Sequence, residues 1–276
     1  MGRRQFLAML GLGAAAALNA CTTSTGQGAS GATPGTGGPG GAGQGPPTTA
    51  PRAKVVRLDS VPPPQPGRPQ TITHAPAPTQ QIALTIDDGY CKDCVDAYVA
   101  FAQRTGIHLT FSPNGTYAPI WQPHASVLRP LIEAGQVQIA NHTFSHANLT
   151  NLSSARVQGE LERNESWIES TFGITSRPWY RPPFGFHNQR VDAAAGQLGY
   201  THVLMWNGSF GDSVALTPQA LMVQANKDLK SGTILLGHAN HPTVTGLFGQ
   251  IQDLIASRGL QPATLDEMFG TSRATG

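Results

Sequence analysis

The chain has 276 residues, a formal net charge of +2, and 12% charged against 39% hydrophobic residues. That length fits one large domain or two small ones. The small charge is spread out with no Lys/Arg cluster, which gives a nucleic-acid partner no support.

Residues 1–21 read as an export signal. Arg3 and Arg4 form a short positive front, and the apolar run from Phe6 to Ala20 is rich in Ala and Gly. That run is too short for a comfortable membrane span of about 20 residues. Arg3-Arg4-Gln5-Phe6-Leu7 resembles a twin-arginine signal, and Leu18-Asn19-Ala20-Cys21 resembles a bacterial lipobox, in which Cys21 is lipidated and becomes the membrane anchor. The expected location is extracytoplasmic, either lipid-anchored to the outer face of the cytoplasmic membrane or secreted. No Asp, Glu, Lys or Arg occurs from Gln5 to Pro51. Residues 22–50 hold ten Gly and four Pro, and residues 61–78 add seven Pro. Such composition buries too little apolar surface to offset chain entropy, so residues 22–78 are expected to be a disordered tether. A single folded domain is expected over residues 79–270, with 271–276 as a tail.

Within that domain, Ile82–Ile86 is a β-branched run ending in Asp-Asp-Gly, a buried strand entering a loop. Val95, Tyr98, Val99 and Ala102 have helical spacing, and Gly106 can end that helix. A strand at Leu109–Phe111, a helix near 124–134 and a strand at Val137–Ala140 follow. Residues 154–172 carry Val157, Leu161, Ile168 and Phe172 on one helical face, stopped by Gly173. Further strands are expected at Arg177–Arg181, Val203–Trp206, Thr233–Leu236 and Gly259–Leu265. Helices are expected at Val191–Leu198, after Thr217-Pro218, and at Phe248–Ser257. This alternation predicts an α/β fold, a distorted (β/α) barrel of about seven repeats. In such barrels the chemistry gathers at the C-terminal ends of the strands. That rule alone brings Asp87, His142, Arg181, Asp212 and His238 to one rim.

His142 and His146 are four residues apart, so one helical turn would aim both imidazoles the same way. Two neutral His with one carboxylate form a known zinc ligand set that leaves a fourth position open. Asp87 and Asp88 are neighbours at a strand end and point in different directions, so one can bind metal while the other faces substrate. Cys91 and Cys94 can oxidise outside the cytoplasm, and their spacing suits a small disulfide; free thiols, or a redox or metal role, are the alternatives.

The ordered set Thr85-Ile86-Asp87-Asp88-Gly89, His142-Thr143-Phe144-Ser145-His146, Arg181-Pro182-Pro183-Phe184-Gly185, Asp212 and Leu235-Leu236-Gly237-His238 resembles the polysaccharide deacetylases of carbohydrate esterase family 4, the NodB-homology domain. The match spans about Ile82 to Leu265. It implies that Asp88, His142 and His146 hold one divalent metal ion, most often Zn2+, and that Asp87 is the general base. It further implies that His238 is the catalytic acid, that Arg181 orients the base and that Asp212 tunes His238. The Phe184 backbone N–H would serve the oxyanion and Leu236 one wall of the acyl pocket. His241 is an alternative for the acid. The chain departs from the family pattern at Ile86 for Phe, Tyr90 for Pro, Phe184 for Tyr and Ser213 for an aromatic residue, all changes that bear on the acyl pocket and substrate class. The expected activity is removal of N-acetyl groups from an N-acetylhexosamine polymer such as peptidoglycan or a chitin-like chain. The alternatives are O-acetyl ester hydrolysis on acetylated xylan and a non-catalytic carbohydrate-binding lipoprotein.

Overall fold

The computed structural model describes residues 63–271. The expected export signal, the expected lipidation site at Cys21 and the expected tether up to residue 62 lie outside the described residues, as do residues 272–276 of the tail. The elements in chain order are β1 Gln70–Ile72, β2 Gln81–Asp88, α1 Lys92–Thr105, β3 Leu109–Pro113, α2 Ala118–Trp121, α3 Ala125–Glu133 and β4 Val137–Ile139. Then come α4 Ser154–Phe172, β5 Trp179–Tyr180, α5 Gln189–Gln197, β6 His202–Leu204, β7 Gly208–Ser209 and α6 Pro218–Asp228. β8 Ile234–His238, α7 Phe248–Ser257, β9 Gln261–Pro262 and α8 Leu265–Phe269 complete the domain.

Every strand pair is parallel. One sheet runs β4-β3-β2-β8-β7, with β9 added to β2, and a smaller one runs β1-β6-β5. Two seams join them. At one, Asn141 bridges Tyr180, with hydrogen bonds from Asn141 N–H to Trp179 C=O (3.1 Å) and from Arg181 N–H to Asn141 C=O (2.8 Å). At the other, β1 lies beside β6, and the chain after it reaches β8 through a His74–Thr233 bridge and an Ala75 N–H to Gly232 C=O bond of 2.9 Å. The result is the expected distorted barrel, with β2 to β8 following one another round it.

The N-terminal boundary differs from expectation. Part of the segment expected to be tether, residues 70–72, is a barrel strand, because its backbone fills the seam that β6 leaves open. The Pro-rich flanks hid a Gln-Thr-Ile run that supplies ladder hydrogen bonds. The expected last strand also changes: β9 is two residues long, and Leu265 begins α8 instead. Thr264 and Glu267 form a capping box there, a signal for a helix start.

Side chains alternate across each strand, so every second residue faces the barrel interior. Ala83, Ala140, Trp179, Leu204 and Ile234 pack as one buried cluster with Leu265 and Met268 of α8. Trp179 donates from Nε1 to Asp266 Oδ1 at 2.9 Å, and Gln138 Oε1 accepts from Asp266 N–H at 2.9 Å, so α8 plugs one end. Further along the same alternation stand Thr85, His142, Arg181 and Leu236, two residues on, and Asp87 and His238, four residues on. The inward series that is apolar at the plugged end becomes polar at the C-terminal rim. The main apolar cluster lies outside the barrel, between the larger sheet and α1, α3 and α7.

A domain starting at Thr79 should therefore be less stable than one starting at Pro63. Loss of β1 should lower Tm by at least about 4 °C, given that each kcal/mol moves a domain of this size by roughly 2–4 °C. Equal melting temperatures in calorimetry would show that β1 does not belong to the cooperative unit.

Candidate active site

β2 ends in a sharp turn. Asp88 has φ 66° and Gly89 has φ 100°, and a Cβ on Gly89 would run into the Trp121 indole. Glycine is required there by both its backbone angle and the close approach. Trp121 holds the turn by donating from Nε1 to Asp88 C=O at 3.0 Å. The turn separates the two carboxylates. Asp87 faces the barrel axis, where Arg181 Nη1 donates to its Oδ1 at 2.7 Å. Asp88 faces the two histidines, with its Oδ1 3.3 Å from Nε2 of both His142 and His146.

The histidine motif is not a helical turn. It is a loop in which Thr143 (φ 66°) and His146 (φ 56°) adopt left-handed backbone, and this is what aims both rings at Asp88. Asn114 pins that loop by donating from Nδ2 to the carbonyls of His142 and Thr143. Asn141 Oδ1 accepts from Thr143 N–H at 2.9 Å and from Asn164 Nδ2 at 3.1 Å. His142 Nδ1 lies 2.8 Å from the Arg181 carbonyl, which accepts. That bond places the proton on Nδ1 and leaves a lone pair on Nε2.

Three acceptors thus converge. The Asp88, His142 and His146 ligand atoms lie within 4.8 Å of one another, and the buried Asp88 Oδ1 has no hydrogen-bond partner. Buried, mutually facing lone pairs call for a cation between them. Burial works against charge on His142, yet the carboxylates of Asp87 and Asp88 outweigh it and raise its pKa; His146 is lowered by burial and by the neighbouring His142. Asp88 is held far below the usual carboxylate range: burial opposes this, but both histidines and Asn240 favour its charged form. One carboxylate and two imidazole nitrogens fit a divalent metal ion.

On the other side of Asp87 stands His238, its partner in the β2–β8 register. His238 Nδ1 is 2.9 Å from Asp212 Oδ1, and its backbone N–H donates to Asp212 Oδ2 at 3.1 Å. Burial lowers the pKa of His238, but the Asp212 hydrogen bond and the charges of Asp87 and Asp212 overcome this and raise it. His241 has no such partner; its Nε2 faces the Tyr90 hydroxyl at 3.4 Å. Of these two histidines, His238 is the one engaged by a buried carboxylate.

Asp87, Asp88, His142, His146, Arg181, Phe184, Leu236 and His238 all line one cavity of about 500 Å³. Asp212 sits behind His238 and is buried. Phe184 has φ 59° and its ring packs on His146 at 4.6 Å. Cys91 and Cys94 are joined as a disulfide at the N-cap of α1, directly after the Asp-Asp-Gly turn.

Sequence reasoning missed Asn240, Thr85 and Trp206. Asn240 donates from Nδ2 to Asp88 Oδ2 at 2.7 Å and accepts from Gly89 N–H at 3.3 Å. Its signal was available: it lies two residues past His238, near the same rim. Thr85 accepts from Arg181 Nη2 at 2.7 Å; it stood in the Asp-Asp-Gly motif with no role given to it. Trp206 lines the cavity with its ring 5.8 Å from the Arg181 guanidinium, and nothing in its spacing marked it.

A sequence model of the polysaccharide deacetylase family matches residues 74–203. A chitin deacetylase of Arthroderma benhamiae is 28% identical over 201 residues, covering 70% of this chain and 53% of that protein. A family 4 carbohydrate esterase from Streptomyces lividans, solved with acetate, shares 25% identity with a TM-score of 0.60, covering 72% of this chain and 98% of that one. A Bacillus anthracis protein described as a family 4 pseudoenzyme superposes with a TM-score of 0.64 at 19% identity, covering 73% and 69%. The chain spans 58% and 53% of the length of two of the curated relatives it matches. In sequence over residues 74–203 and in fold, the chain is similar to polysaccharide deacetylases. The pseudoenzyme has the same fold, so catalysis must be argued from the side chains.

Replacing Asp212 by Asn removes the charge that raises the His238 pKa, so that pKa should fall. If His238 must be protonated to act, the alkaline limb of the pH–rate profile should move to lower pH in Asp212→Asn. NMR titration of His238 with a parallel rate profile checks both; a falling pKa with an unmoved limb would remove His238 as the acid.

Proposed function

We propose that the chain is a metal-dependent hydrolase that removes N-acetyl groups from an N-acetylhexosamine-containing polysaccharide. One observation carries the reading: the acceptor triad, the Arg181–Asp87 pair and the Asp212–His238 pair meet in a single cavity. A divalent ion held by Asp88, His142 and His146 would supply polarisation of the acyl carbonyl and a more acidic water. The chain's own groups do the rest. Arg181 occupies Asp87 Oδ1, which leaves Oδ2 to take a proton from the attacking water. Across the cavity, His238 engages Asp212 through Nδ1, so Nε2 is the atom that can give a proton to the leaving nitrogen. An amine leaves poorly unless protonated, whereas an alcohol needs less help. A buried carboxylate that raises the pKa of His238 therefore favours the amide over the O-acetyl ester. The left-handed backbone at Phe184 supports the proposed use of its N–H as an oxyanion donor. Leu236 adds an apolar wall where the acyl methyl would sit.

The deciding assay is acetate release by residues 63–276 from N-acetylglucosamine oligomers and from acetylated xylan, with zinc and with a chelator. Release from the amino-sugar oligomers should be zinc-dependent. Removing one partner of a buried ion pair costs about 3–5 kcal/mol, so the base is tested with Asp87→Asn, which keeps an acceptor for Arg181. That variant should bind one zinc ion by elemental analysis and lose about 10²-fold or more in kcat. Undiminished turnover would sink the assignment of the base, and release from xylan alone would move the enzyme to ester hydrolysis.

The first 21 residues support placing this activity outside the cytoplasm, with Cys21 as a lipid anchor. In the full chain, Cys21→Ala should shift the protein from the membrane to the soluble fraction. An unchanged distribution would argue against the anchor.

A further inference from the structure

Among the described residues, Tyr90, Phe184 and Phe186 are large apolar side chains left 46%, 58% and 54% exposed, and they cluster at the mouth of the site. Tyr90 and Phe184 line the cavity. Phe186 continues the Phe184 face outward, with ring centroids 5.9 Å apart and planes tilted by 38°. Tyr90 forms a second face with Tyr117, at 5.9 Å, and with His241, at 6.1 Å.

The two faces adjoin different parts of the centre. Phe184 packs on His146, which meets Asp88 Oδ1. Tyr90 meets His241, whose neighbour Asn240 holds Asp88 Oδ2. A scattered exposed hydrophobic residue calls for no explanation, but aromatic rings gathered on both flanks of a polar cavity mark a binding surface. A pyranose ring turns a face of weakly positive C–H bonds outward, which packs on the negative face of an aromatic ring. Its hydroxyls can meanwhile reach polar tips such as the Tyr90 hydroxyl.

Resting on the deacetylase reading, we infer that Tyr90 and Phe186 are stacking platforms for the sugar rings on either side of the one that loses its acetyl group. The site then takes an internal stretch of a hexosamine chain. A single sugar held in the cavity would leave Phe186, which lies outside the cavity lining, uncovered. Both residues set specificity and stand outside the groups that handle protons or metal.

The test compares N-acetylglucosamine dimer and hexamer with the zinc-loaded full chain, Tyr90→Ala and Phe186→Ala, reading KM and kcat separately. Each variant should raise the hexamer KM by about fivefold or more, with kcat little altered and the dimer KM changed far less. Tyr90→Phe and Phe186→Tyr, which keep a ring, should restore the hexamer KM, and circular dichroism controls for folding. Equal effects on dimer and hexamer, or no effect on either, would overturn the proposal. If the unaltered chain releases no acetate from any amino-sugar oligomer, the deacetylase reading fails instead. Calorimetric binding of the hexamer to the same variants then decides the platforms separately: weaker binding supports them and equal binding refutes them.

Discussion

Arg181 is the residue on which the rest of the arrangement depends. Its guanidinium is fully buried and spans the barrel, donating to Asp87 and Thr85 on β2 and, at 3.3 Å, to the Leu204 carbonyl on β6. Its backbone is equally committed: the N–H closes the seam to Asn141, and the carbonyl fixes the tautomer of His142. A buried charge is tolerated only when paired and hydrogen-bonded, and this one meets both conditions through groups on different strands. One residue, through its side chain and its backbone, therefore sets the orientation of the proposed base, the face that His142 offers to a metal, and the distance across the barrel. Pro182 and Pro183 follow it directly and stiffen the chain that carries Phe184 into the cavity.

Much of the fold was legible because helix and strand signals here are local. Gly106 and Gly173 end α1 and α4 in left-handed backbone, Thr217 caps α6 ahead of Pro218, and α7 begins at Phe248 where apolar spacing placed it. What escaped depended on partners remote in sequence. β1 is a strand because β6 has a free edge, and Gly208–Ser209 is a strand, β7, because β8 lies beside it. The His142–His146 spacing suited a helix, and the loop that replaces it is imposed by Asn114 and Asn141 through side-chain bonds that no periodicity reveals. The rim residues were legible for a different reason. The barrel rule brings strand ends together whatever the exact strand lengths, so errors of a residue or two at boundaries did not disturb the site.

Behind the metal-facing loop lies a second polar network. Glu165 of α4 is buried and accepts from Thr175, Ser176, Arg177 and Tyr200. Tyr200 in turn accepts from Asn141 Nδ2 at 2.7 Å, and Asn141 holds Thr143. The support of His142 thus runs from one helix through four loops and strand ends. A network of this kind, in which four residues donate to the buried Glu165 carboxylate, specifies one arrangement more than it adds stability.

The non-glycine residues with positive φ among the described residues are Asp88, Thr143, His146 and Phe184, and all four belong to the site. Left-handed backbone costs an ordinary residue about 1–3 kcal/mol. Glycine would relieve that cost at each position while erasing a proposed metal ligand, the residue between the two imidazoles, or the aromatic cover on one of them. Selection for heat resistance and selection for turnover would therefore pull in opposite directions at these four positions. A laboratory line evolved on melting temperature alone would be expected to drift toward a hardy barrel without the proposed activity.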